Sequence, residues 1–68
     1  MSVYKVVELI GTSEQSWEDA AKNAVEQASK TLRQLRVAEV KELDVAIDDA
    51  GALTYRAKVS LSLKYEGD

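Results

Sequence analysis

Leu53-Thr54-Tyr55-Arg56-Ala57-Lys58-Val59-Ser60-Leu61-Ser62-Leu63-Lys64-Tyr65 carries an apolar side chain at every odd position and a polar one at every even position. Strict alternation with a period of two is the pattern of a β-strand with one face buried and one solvated. Glu66 continues the polar phase. The stretch predicts a strand of about 13 residues, near 40 Å long at about 3.3 Å per residue.

Immediately before it, Asp48-Asp49-Ala50-Gly51 reads as a hairpin loop, with the glycine supplying a positive φ. A second strand is therefore expected on the other side, from Val37 to Ile47. There Leu43, Val45 and Ile47 alternate with Asp44, Ala46 and Asp48, whereas Ala38 and Val40 keep the opposite phase. The change of phase near Lys41-Glu42 predicts a bulge or a strong bend. At the other end of the chain, Val3 to Ile10 is β-branched and apolar on both phases, with Val3, Val7 and Leu9 on one and Tyr4, Val6 and Ile10 on the other. Such a strand is normally covered on both faces. Gly11-Thr12-Ser13 is expected to break it.

Between the first two strands, apolar or small residues recur at Trp17, Ala20, Ala21, Ala24, Val25, Ala28, Leu32 and Leu35, the spacing of a helix with one buried stripe over residues 16–35. Ser13 or Ser16 is the expected N-cap, Glu14, Glu18 and Asp19 suit the positive end of the helix, and Lys30 and Arg33 suit the other. Alanine dominates the stripe, so the helix can lie close on a sheet, with Trp17 as its one large anchor. At about 1.5 Å per residue such a helix is near 30 Å long and cannot shield a 40 Å strand. One face of the first strand and the surplus of the last need other cover. The fold class is thus α+β, with β-α-β-β order in one domain spanning residues 1–68, and association is the expected remedy for the uncovered surface.

Composition narrows the chemistry. The 68 residues contain no cysteine and no histidine, which excludes disulfides, zinc–thiolate centres and Ser–His or Cys–His nucleophiles. Domains this small are commonly stabilised by disulfides, metals or association, and the first is unavailable. Nine basic residues against twelve acidic ones, with no basic block, argue against a nucleic-acid partner. No apolar run approaches the roughly 18 residues of a membrane span. Met1-Ser2-Val3-Tyr4-Lys5 does not open a secretory signal, and the lack of cysteine suits a cytoplasmic location. Gly11-Thr12-Ser13 precedes a helix and could hold an anion, although capping explains the same residues. Asp48 and Asp49 are candidate ligands of a hard cation such as calcium or magnesium, with turn chemistry as the alternative reading. Trp17 and the tyrosines read first as core or interface packing.

Two segments carry a family resemblance. VYKVVELIGTSEQSWEDAAKNAV, residues 3–25, is similar to the strand, Gly-Thr-Ser turn and helix opening of the dodecin family, and TLRQLRVAEVKEL, residues 31–43, resembles its helix end and second strand. TYRAKVSLSLKY fits its third strand. The resemblance implies a three-stranded antiparallel sheet curled around one helix, and twelve such subunits in a hollow homo-oligomeric sphere without catalytic activity. It also implies a flavin site (riboflavin or FMN) in which isoalloxazine rings stack between tryptophans at the start of the second strand and a third-strand glutamine bonds the ring edge. Here Val37 stands at the tryptophan position and Arg56 at the glutamine position. Glu42 matches an acidic position that supports a hydrated cation in some members. Valine cannot replace ring stacking worth roughly 0.5–1.5 kcal/mol per pair beyond area burial. The flavin site is therefore expected to be lost or altered, with weakened flavin binding as one alternative. Trp17 lies at the other end of the helix and is no substitute. Arg56 is free to meet an anionic ligand or to pair with Glu39 or Glu42. The chain further resembles dodecins lacking the tryptophan that are linked to calcium, which makes Glu42, Asp48 and Asp49 candidate metal ligands.

Overall fold

The computed structural model describes residues 2–65. The chain runs β1 (Tyr4–Ser13), α1 (Trp17–Ser29), β2 (Leu35–Ile47) and β3 (Leu53–Lys64). Both pairings are antiparallel and the strand order is β1-β3-β2, so β3, the strand with the cleanest alternation, is the central one. Glu66, the last residue of that alternation, lies outside the described residues.

Register sorts the strand residues onto two faces. The helix packs on the face bearing Ala57, Val59 and Leu61 of β3, which form the buried core with Ala20, Ala24 and Ala28 of α1. Val7 of β1 and Leu35 of β2 border this core. The opposite, outer face carries Tyr4, Val6, Glu8 and Ile10 of β1, Val37, Glu39, Glu42 and Asp44 of β2, and the polar residues of β3. The expected bulge is present: the register shifts between Val40 and Glu42, which puts Val40 and Leu43 on the helix face despite their spacing of three. A second shift between Leu35 and Val37 marks the entry to β2.

Two expectations about the elements need correction. Gly11-Thr12-Ser13 does not break the first strand; β1 runs through it, with Gly11 opposite Ala57 and Ser13 opposite Tyr55. Glycine is needed there for proximity, since a Cβ on Gly11 would collide with the Ala20 carbonyl and lie 2.9 Å from Ala24 Cβ. The helix is also shorter than its stripe. It stops at Ser29, where the amides of Thr31 and Leu32 both bond the Ala28 carbonyl, and Gln34 then takes a φ of 61° to turn the chain into β2. Leu32 and Leu35 still touch the core, but from the connection and from the strand.

Capping follows the sequence. Ser16 is the N-cap and accepts the Asp19 amide at 3.0 Å; Ser13 Oγ accepts the Gln15 amide and donates to Asp19 Oδ2 at 2.7 Å. The Gly-Thr-Ser stretch thus serves strand pairing and capping. At the hairpin, Gly51 has a φ of 85°, and Asp48 Oδ1 accepts the amides of Ala50 and Ala52, each at 2.9 Å.

The α1 helix, of 13 residues, is about 20 Å long, while the molecule extends 50 Å. Its radius of gyration is 13.9 Å, where a compact chain of this length would have about 11 Å. The sheet outruns the helix, as its alternation predicted, and the helix-face surface left uncovered is apolar: Ile47 and Leu53 at the hairpin end, and Val40 and Leu43 on β2 beside α1, are exposed, Ile47 by 70%. On the outer face Val6 is 60% exposed.

Candidate functional site

The outer face of the sheet gathers most of the residues the sequence nominates. At its centre Lys58 of β3 lies between Glu8 of β1 at 3.8 Å and Glu42 of β2 at 3.5 Å, an ion-pair ladder across all three strands. One step along β3 on the same face, Arg56 donates from Nε to Asp44 Oδ1 at 2.6 Å and from Nη2 to Oδ2 at 2.8 Å. This bidentate geometry is the strongest form of an arginine–carboxylate contact. It holds the Asp44 carboxyl below its ordinary range, through the hydrogen bond first and the guanidinium charge beyond it, and raises Arg56 in turn. Asp44 is fixed from the other face as well, because the indole Nε1 of Trp17 donates to its carbonyl at 3.0 Å. The Trp17 ring meets Tyr55 edge to face with centroids 5.3 Å apart.

The partner of Arg56 is therefore Asp44, not the expected Glu39 or Glu42; Glu42 pairs with Lys58, and Glu39 lies 3.9 Å from Lys41. Asp44 is the residue that the sequence reading missed. The hairpin register could have found it, because counting back from Ile47 opposite Leu53 puts Asp44 opposite Arg56 without crossing the bulge at Lys41.

Val37 is on the same outer face and 60% exposed, but opposite Ser62, six residues along β3 from Arg56. That separation is about 20 Å. One chain therefore brings Glu42 and Arg56 near each other and leaves Val37 apart, so a pocket using all three needs a second copy. The residues present fit a flavin poorly: no aromatic ring stands at residue 37, and two of the donors of Arg56 are engaged by Asp44.

The candidate metal ligands are likewise dispersed. Asp48 serves the hairpin turn, Asp49 is exposed beside it, and Glu42 faces Lys58. Among the described residues, no three carboxylates cluster as a cation site. Calcium takes six to eight oxygens, so these side chains of a single chain do not form its shell.

On the helix face, Trp17, Glu18, Ala21, Val40 and Leu43 line an open apolar groove of about 480 Å³. It lies between the first turns of α1 and the helix face of β2. Among the described residues no helix is long and apolar enough to cross a membrane.

Comparison with known proteins gives a consistent result. A family model described as Dodecin matches residues 3–66. The calcium dodecin of Mycobacterium tuberculosis is 53% identical over 64 residues, covering 94% of this chain and 90% of the relative. The dodecin of Thermus thermophilus is 44% identical over 64 residues, 94% of this chain and 93% of its own. The crystal structure of the M. tuberculosis protein, described as calcium chelating with a novel calcium-binding site, matches with a TM-score of 0.89 at 49% identity, over 98% of this chain and 96% of that one. The Streptomyces coelicolor dodecin matches with a TM-score of 0.90 at 33% identity, over 98% and 96%.

Proposed function

The chain belongs to the dodecin family, and from that membership we propose that it is a non-enzymatic, small-ligand-binding or storage subunit of a hollow homododecamer whose flavin site is lost or altered. The observation that carries the assembly is the uncovered apolar surface of the helix face. Val40, Leu43, Ile47 and Leu53 lie on the helix face of the sheet yet remain exposed in one chain. The accessible surface is 5140 Å², against about 4200 Å² for a compact monomer of this mass. The observation that carries loss of the flavin is Val37, which presents an aliphatic side chain on an open strand face. Absence of catalysis accords with a sequence that has no histidine and no cysteine. A cytoplasmic location belongs to the same proposal, as do partners limited to copies of this chain, without nucleic acid or membrane.

Native mass spectrometry tests assembly and ligand together. A species near 90 kDa, about twelve times the 7.5 kDa chain, without flavin adducts after incubation with riboflavin or FMN, is the expected spectrum. A flavin-loaded species would restore the alternative of weakened flavin binding, and a monomer would remove the shell.

A second reading is favoured by the 53% identical relative named calcium dodecin: the assembly binds calcium. Because Glu42, Asp48 and Asp49 do not converge within one chain, such an ion would sit where carboxylates of several subunits meet. Magnesium is the other hard cation with this oxygen preference. The melting temperature then rises with added calcium and falls with chelator, as mass action requires of any ligand bound to the folded state. An unchanged melting temperature in both would contradict it.

A further inference from the structure

We infer that Asp44 is the residue that determines ligand specificity at the centre of the outer face, by engaging Arg56 and so denying that centre a free cation for an anionic ligand. The inference rests on the proposed reading that this face is the ligand face of the family. Arg56 uses Nε and Nη2 on the two oxygens of one carboxylate, at 2.6 and 2.8 Å. That fork is the geometry with which arginine recognises a carboxylate or a phosphate, so the internal carboxylate occupies what an anion would take. Asp44 is preorganised for this: its backbone is tied to the Trp17 indole across the sheet at 3.0 Å, and β3 pairs with it directly through Arg56. The neighbouring cation, Lys58, is shared between Glu8 and Glu42. The centre of the face thus holds three carboxylates against two cations, which disfavours a phosphate or any other anion.

Val37 alone is then an insufficient explanation for loss of a flavin. Restoring an aromatic ring there leaves the closed Arg56–Asp44 pair in place. Replacing Asp44 as well removes one negative charge from the centre of the face and releases an Arg56 donor at the position matching the ring edge, which favours the anionic FMN, while replacing Arg56 by glutamine offers a neutral amide to riboflavin.

The test is quenching of flavin fluorescence by micromolar protein, with light scattering on each sample to show that the assembly is intact. The unmodified protein is expected to quench neither FMN nor riboflavin. Val37→Trp alone is expected to remain weak. Val37→Trp with Asp44→Asn gains at least about tenfold in FMN affinity over Val37→Trp and favours FMN over riboflavin. Val37→Trp with Arg56→Gln gains for riboflavin. Quenching of FMN by the unmodified protein, which needs no variant to fold, overturns the inference. So does Val37→Trp binding FMN as tightly as the Asp44 double variant. If neither double variant binds flavin although its mass is unchanged, the ligand face itself has been misassigned, and the reading beneath the inference falls with it.

Discussion

Single residues set the closest approaches and the charge pairing. Gly11 lies beneath α1 where a methyl group would meet the Ala20 carbonyl and Ala24 Cβ. Gly11→Ala is expected to cost about 1–3 kcal/mol through overpacking, read as a lower urea midpoint with an unchanged slope. Gly51 differs in kind: nothing lies within 4 Å of an added Cβ there, and its φ of 85° is the constraint. Asp44 makes a prediction about pH. Its carboxyl is lowered from the ordinary 3.8 in the folded chain, so its contribution is present above the unfolded value and is lost as the pH falls through the lower folded value. The stability lead over Asp44→Asn should therefore be level near neutrality and shrink on acidification below the usual carboxylate range, measured by urea unfolding at a series of pH values. The matching contribution of Arg56, whose already strongly basic value is raised further, is fully present throughout the acidic and neutral range and changes nothing in that window. A lead that grew on acidification would contradict the pairing.

At the level of elements, alternation was more legible than termination. β3, Leu53–Lys64, shows its nature in every residue because it is central, with one face on the helix and the other polar, and only Tyr65 of the alternating stretch falls beyond it. The bulge at Lys41 was legible as a break of phase between Val40 and Leu43, both of which turn to the helix face. Periodicity failed at both ends of the helix connection. Leu32 and Leu35 continue the helical spacing because they reach the same core from a turn and a strand, and an apolar pattern records which residues are buried without recording which element carries them. Gln34, the left-handed residue that ends the connection, is not glycine and gives no signal. Gly11 gave a false one: it reads as a strand breaker, whereas its small size is what β1 needs to pass under α1. The candidate site was partly legible, since Arg56, Glu42 and Val37 all lie on the outer face, but the pairing of Arg56 with Asp44 depends on register rather than residue type. The helix prediction follows from the alanine stripe. Ala24 is buried against Gly11 and β3, so Ala24→Leu should lift α1 from the sheet and cost about 1–3 kcal/mol, seen as a lower melting temperature. A neutral outcome would mean that the helix does not sit as close as described.

For the whole molecule, an elongated subunit of 50 × 20 × 17 Å with an apolar overhang has solved only half of its burial problem. The groove beside Trp17, Val40 and Leu43 and the bare end of the β2–β3 hairpin are exposed apolar surfaces of the single chain, and the proposed assembly would cover them. Leu43 is exposed in the single chain, so Leu43→Arg should leave the subunit fold close to intact while shifting the mass distribution toward smaller species, resolved by size exclusion with light scattering. A folded variant whose mass is unchanged would contradict the burial of Leu43 between subunits. The most direct test is the mass of the unmodified protein in dilute solution, by light scattering at neutral pH. A single species near 90 kDa, about twelve chains of 7.5 kDa, is expected, and a stable folded species at the mass of one chain would contradict the assembly on which the proposed function depends.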